Sequence, residues 1–378
     1  MDFEFSEDQR LMQESLHGLL AERQDMAAAR RVADGAGFDQ ALWAALAEAG
    51  VFAVPVPEAQ GGLGLGPVDT VLLLEEFGWA LVPAPAAETL LAAMLLARCG
   101  TPAQQARFLP RIAAGSLRAT LALAEPGGGF GVEEVALAAR RRPGGWALSG
   151  RKALVPQAAE AELVLLVARF GDEGRLGLAL CPAAAPGLAR RRHASLDLSS
   201  RHHLLDFAEV EIGAEEVLGG TPEPAHAALL FDLGAAAAAA QQAGIAARLL
   251  DEAVGYAKQR VQFGQPIGGF QAIKHKCADM ATAVEGARAA AYHAALALAE
   301  GGTDVARAVS VAKAFCGDAA RLVCREALQI HGGIGFTWEL GLHLWVRRAK
   351  ALELSFGDTA WHRERALARS LAELGITG

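Results

Sequence analysis

Residues 162–181 read ELVLLVARFGDEGRLGLALC, and this stretch decides the fold class. Its two apolar runs, ELVLLVAR (162–169) and LGLALC (176–181), are unbroken and only strand-length, and GDEG (171–174) turns the chain between them. Runs bounded in this way read as buried strands. The pattern repeats outward from here. LALAE (121–125), EEVALAARR (133–141), WALSG (146–150) and LLDFAEVEI (204–212) have the same length, with PGGG, RPGG and APG separating several of them. This spacing predicts a β-sandwich or barrel of about 100 residues.

Both flanks read as helix. Upstream, Ser6 is placed to cap a helix whose first turn carries Glu7 and Asp8, followed by Leu11, Met12, Leu16, Leu19 and Leu20 near helical spacing. Further helices are expected at Phe38–Gly50, Val68–Trp79 and Ala86–Cys99, broken by the Pro/Gly loop VPVPEAQGGLGLGP (54–67). Downstream, helix resumes at Glu223, and Ala235–Ala240 is a pure alanine run, strongly helix-forming and otherwise featureless. The order α, β, α excludes the alternation of a Rossmann fold. We expect an α+β protein: a helical N-terminal domain (1–118), a central antiparallel β-domain (119–220) and a C-terminal helical bundle (221–378).

Composition removes several function classes. The 378 residues carry 35 Lys+Arg against 43 Asp+Glu, a net charge of −8, which argues against a nucleic-acid footprint. A 52% hydrophobic content excludes extensive disorder. The apolar windows are interrupted by Gln, Arg or Glu, so no membrane span is expected, and the opening MDFEFSEDQR is too acidic for a secretory signal. Five scattered cysteines without CxxC spacing point to free thiols in a cytoplasmic protein. His202, His203 and His343 have no partners at metal-ligand spacing, so no metal site is expected.

Two segments carry chemistry. In YAKQRVQFGQPIGGFQAIKHKCADM (256–280), Arg260 can fork onto phosphate oxygens and Phe263 can wall an aromatic ring. In QIHGGIGFTWELGLHLWVRRAK (329–350), Gly332, Gly333 and Gly335 open the backbone to a ligand, and Gln329 adds an amide. The pair RxQFGxPIxxFQ…ADM and QxHGGxGF resembles the acyl-CoA dehydrogenases. PEAQGGLGLG (57–66), AEPGGG (124–129) and GRK (150–152) extend that resemblance over essentially the whole chain.

The resemblance implies an α-domain, a β-barrel-like domain and a four-helix bundle, with FAD held between the last two and covered by a neighbouring subunit. It implies that Arg260, Gln262 and Phe263 contact the diphosphate and adenine of FAD from one subunit, with Gln329 and Gly333 contributed by the partner. It places Thr359 near the flavin–diphosphate end. An acyl-CoA substrate, an oligomer (dimer or tetramer) and electron-transfer flavoprotein as acceptor follow from the same likeness.

The departures are as informative. The family's general base is a glutamate, either in a YEGT-like loop or at the start of the first bundle helix; burial beside the flavin raises its pKa to suit that task. Here the loop reads SFGDT (355–359). Aligned on Thr359 the base position is Gly357, and the alternative position is Gly234. Asp358, beside Gly357, is the candidate base that remains in the loop; the alternative is that it hydrogen-bonds the loop's own amides. Leu154, Val155 and Pro156 replace the family's W/F-I-T, and Gly129, Phe130 and Gly131 replace its GSD. This set resembles the non-catalytic-type small chains of two-chain acyl-CoA dehydrogenases, which act on bulky or dicarboxylic acyl-CoAs. Two functions remain: a flavoprotein chain working with a Glu-bearing partner, or a structural or acyl-CoA-binding subunit without dehydrogenase activity.

Overall fold

The computed structural model describes residues 5–35, 38–302 and 304–374. The first four residues of the opening motif therefore lie outside the description. Six helices come first: α1 (Glu7–Arg23), α2 (Met26–Ala33), α3 (Gln40–Glu48), α4 (Pro67–Trp79), α5 (Ala86–Cys99) and α6 (Pro102–Ala113). The Ser6 cap is present as a reciprocal box with Gln9. A seven-stranded sheet follows: β1 (Ala119–Ala122), β2 (Ala138–Arg142), β3 (Gly145–Pro156), β4 (Leu163–Phe170), β5 (Arg175–Pro182), β6 (Leu188–His193) and β7 (His202–Gly213). The chain ends in helices again: α7 (Pro224–Gln259), the small hairpin β8 (Val261–Gln262) and β9 (Gln265–Pro266), then α8 (Gln271–Glu300), α9 (Val305–His331), α10 (His343–Leu354) and α11 (Thr359–Glu373).

The antiparallel expectation for the sheet needs one correction. Strands β2–β3, β3–β7, β6–β7 and β4–β5 pair antiparallel, but β1 and β2 both pair parallel to β4. The reason is local. Strand β1 covers Leu163–Leu166 of β4 and β2 covers Arg169–Phe170, so the chain leaves the sheet after Ala122 and rejoins the same strand at Ala138. A strand interrupted by a loop keeps its direction. The excursion between them carries AEPGGG. It also takes up the first half of EEVALAARR, where Val132–Glu134 form a 3₁₀ turn instead of strand. Strand β6 was not anticipated, because its arginines are exposed on both faces of an edge strand.

Helix α7 organises the rest. At about 54 Å it spans the bundle, packing against α8, α9 and α10 and against α4, α5 and β5 of the preceding domains. It is long and apolar enough to cross a membrane, but 89% of its most apolar window is buried within the protein, as in a core helix. Helices α4 and α7 approach backbone to backbone at two glycines. A Cβ on Gly78 would sit 2.0 Å from the Gln241 carbonyl oxygen, and one on Gly244 would sit 1.9 Å from that of Glu75. No side chain fits at either.

Gly244→Ala is therefore expected to destabilise by about 1–3 kcal/mol through overpacking and to lower the thermal midpoint followed by circular dichroism. Gly255→Ala, on the same helix with nothing within 4 Å of its Cβ, should leave the midpoint unchanged or raise it, since alanine is the better helix former.

Candidate functional site

A cavity of about 440 Å³ lies between the β-domain, α5, α7 and α10. Its α7 wall is Gly234, Ala237, Ala238 and Gln241, so the alanine run leaves room where larger residues would fill it. Its opposite wall includes Leu123–Glu125, Phe130 and the β3 residues Leu154 and Pro156. The loop 123–137 is clamped there by a buried ion pair. Lys152 Nζ, whose side chain is fully buried, donates to Glu125 Oε1 at 2.7 Å and to the Leu123 carbonyl at 3.0 Å. Glu125 also accepts from the amides of Ala136 (2.9 Å) and Leu137 (3.0 Å). The AEPGGG and GRK motifs thus meet. Burial pushes the Lys152 ammonium down to about 8, against the pull of Glu125.

Of the two expected base positions, the cavity contains one. Gly234 lines it. Gly357 does not: it is buried with φ +97°, and a Cβ there would lie 2.8 Å from both His362 Nε2 and Trp361 Cε3. The loop residue that faces the cavity is Phe356. Its ring lies over Gly234, where an added Cβ would meet Phe356 Cε1 at 2.3 Å. Counting back from Thr359 missed this, because α10 ends at Leu354 and presents Ser355 and Phe356 to the cavity. Phe356 holds a left-handed φ of +54°, a costly conformation for a bulky residue. Two buried side chains impose it. Lys313 Nζ donates to the carbonyls of Glu353 and Gly357, both at 2.9 Å, and His362 Nε2 donates to the Phe356 carbonyl at 2.7 Å. Desolvation lowers Lys313 to about 8 and His362 to about 3, so the imidazole is neutral and its Nδ1 accepts from Ser310.

The loop's candidate carboxylate is Asp358. It is the N-cap of α11, accepting from the Trp361 amide at 2.8 Å, and does not line the cavity. Asp232, on another face of α7 from Gly234, pairs with Arg365 at 2.7 Å. The buried His331 stacks on Tyr256 at 4.5 Å. Four carboxylates that the sequence did not single out border the cavity: Glu88, Glu125, Glu134 and Asp197. Glu125 and Asp197 are engaged by Lys152 and Arg348, and Glu134 is exposed. Glu88 is half-buried, and burial raises its pKa.

The dinucleotide-type residues lie elsewhere. Arg260 caps the far end of α7, about 39 Å along the helix from Gly234. Gln262 and Phe263 form the tip of the β8–β9 hairpin, with Phe263 91% exposed. The Tyr256–His331 stack brings the Gln329 and Gly333 segment to this same end of the bundle within one chain. Thr359 is not with them. Its hydroxyl is buried and unpartnered among the described residues, 2.7 Å from where a Cβ on Gly317 would be.

The exposed end fits the diphosphate–adenine half of FAD. No carboxylate among the described residues pairs with Arg260, and a Cβ on Gly333 would meet nothing within 4 Å, leaving the backbone bare. The apolar wall of Leu154 and Pro156 fits a flat ring. Within one chain the two lie toward opposite ends of α7.

Models of the acyl-CoA dehydrogenase N-terminal, middle and C-terminal domains match residues 6–116, 120–205 and 226–371. The chain is 30% identical to the probable acyl-CoA dehydrogenase YngJ of Bacillus subtilis, over 98% of this chain and 100% of that one. Its fold superposes on the ChsE4–ChsE5 complex of Mycobacterium tuberculosis with a TM-score of 0.90 at 28% identity, covering 99% of both chains. It superposes equally, at 0.90 and 32% identity, on a variant of the Tcur3481–Tcur3483 steroid ACAD, covering 98% of this chain and 99% of that one.

Replacing Arg260 by Ala removes a charge-assisted phosphate contact worth about 1.5–3 kcal/mol. The purified variant should carry at least tenfold weaker FAD, measured by flavin fluorescence on titration. Unchanged affinity would show that Arg260 does not hold the diphosphate.

Proposed function

The chain belongs to the acyl-CoA dehydrogenase family of FAD-dependent oxidoreductases, and from that premise we propose that it is one chain of a two-subunit acyl-CoA dehydrogenase whose partner supplies the glutamate base. The observation that carries this reading is Phe356. An aromatic ring fills the space over Gly234, and neither position holds a group able to take a proton. Bound FAD supplies the two-electron oxidant; this chain's residues hold and enclose. Arg260, Gln262, Phe263, Gln329 and Gly333 grip the nucleotide half of a FAD whose ring lies in a neighbouring chain. Val261, Ile334, Phe336 and Trp338 are exposed around them, which suits burial under that neighbour. Lys313 and His362 fix Phe356, which excludes water from the acyl side. The solved ChsE4–ChsE5 complex pairs two differently named chains, in keeping with this assembly, and an electron-transfer flavoprotein is the acceptor we assign. We place the assembly in the cytoplasm.

The chain alone should turn over acyl-CoAs poorly in a dye-coupled assay, because positioned general-base catalysis contributes ~10²–10⁴-fold. Co-expression with a Glu-bearing partner should restore activity. Within one chain, Phe356→Glu should recover part of it, since that residue faces the cavity. Gly357→Glu should not, because its side chain would collide with His362 and Trp361. Robust turnover by the unmodified homo-oligomer would refute the proposal.

A further inference from the structure

One end of the cavity is polar, and nothing in the family reading uses it. Glu88, Ser200, Gln241 and Arg348 border both the large cavity and a small chamber of about 20 Å³ beside it, and His202 and Asp197 line the large cavity near them. This end lies about 10 Å from the Gly234–Phe356 end by two independent measures: Gly234 to Gln241 along α7, and Arg348 to Ser355 along α10.

The hydrogen bonding there is incomplete. Arg348 is only 6% exposed, and its Nε donates to Asp197 Oδ2. The other Asp197 oxygen is taken by the amide and hydroxyl of Ser199, at 2.9 and 2.6 Å. Arg348 Nη2 and His202 Nδ1 are buried without partners among the described residues. A buried donor left unpaired costs about 1–3 kcal/mol, so the site is better satisfied with a ligand oxygen than without one. The charges decide which kind. Asp197 already neutralises Arg348, and burial holds the Glu88 carboxyl toward its protonated form despite the nearby Arg348 charge. Burial likewise keeps His202 neutral. The cavity's other lining cation, Lys350, is paired with Glu353 at 2.9 Å, so a second full negative charge would meet no unpaired cation among the described lining residues.

We infer that this end of the cavity is a subsite for an uncharged oxygen, a hydroxyl or ketone, carried far along the acyl chain, with Arg348 Nη2 and the Glu88 carboxyl as its hydrogen-bonding groups. The inference deepens the reading given above, since it requires that the cavity accept an acyl-CoA.

Three probes separate the possibilities: decanoyl-CoA, ω-hydroxydecanoyl-CoA and the ω-carboxylate of the same length, sebacoyl-CoA. Titrated into the purified flavin-loaded protein by calorimetry, the ω-hydroxy probe should bind about tenfold more tightly than decanoyl-CoA, and sebacoyl-CoA no more tightly than decanoyl-CoA. Glu88→Leu should collapse the ω-hydroxy preference toward unity, and Glu88→Gln, which keeps a donor and an acceptor, should retain most of it. Glu88 stands outside the Arg348–Asp197 pair, so these variants leave that buried ion pair intact. Equal affinity for decanoyl-CoA and ω-hydroxydecanoyl-CoA would overturn the inference while leaving the family function standing. A preference for sebacoyl-CoA would replace it with an anion subsite. Binding of none of the three would overturn both this inference and the acyl-CoA reading beneath it.

Discussion

The fold depends on one steric constraint: helix α7 is enclosed on every side and must be thin. From Leu230 to Ala247 nearly every side chain is buried, and most are alanine or glycine. Where α7 meets α4, glycines on both helices allow backbones to touch, and any Cβ would strike a carbonyl oxygen. Where α7 faces the β-domain, the same smallness leaves a cavity. Packing and binding are therefore two consequences of one composition. The alanine run that looked featureless in the sequence is the feature that makes room for a ligand.

The second constraint is the loop that follows α10. Its geometry is set from behind, by a buried lysine and a neutral histidine that hold three consecutive or near-consecutive carbonyls. Burying an ammonium is costly, and that burial lowers Lys313 to about 8. That expenditure sustains a left-handed phenylalanine, which the loop would not adopt unaided. Strain maintained by such buried groups marks a position that matters, and the ring it directs lies over the floor of the cavity.

The legibility of these features follows their physics. Strands β4 and β5 were evident because they are buried on both faces and so read as continuous apolar runs. Strand β6 was hidden because it is an edge strand whose exposed arginines carry no periodic signal. The family motifs around Arg260 and Gln329 could be read because glycines and an arginine at fixed spacing are local. Their gathering at one end of the bundle could not, since it depends on the stack of Tyr256 on His331, 75 residues apart. That Phe356 and not Gly357 faces the cavity could not be read, because the sequence does not show where α10 stops. The unpartnered Nη2 of Arg348 was invisible for a different reason: Arg347 and Arg348 are adjacent, and only burial distinguishes them.

Gly234 and Phe356 are physically one site. A side chain at 234 and the ring at 356 claim the same volume, with 2.3 Å between the built Cβ and the ring. A carboxylate on α7 would therefore require a small residue in the loop, and an aromatic in the loop requires glycine on α7. A small residue at both positions would leave a hole in the cavity wall. Glycine at 234 together with phenylalanine at 356 closes that hole with apolar surface. The pair is thus a single packed solution, and the cavity beside it stays well formed.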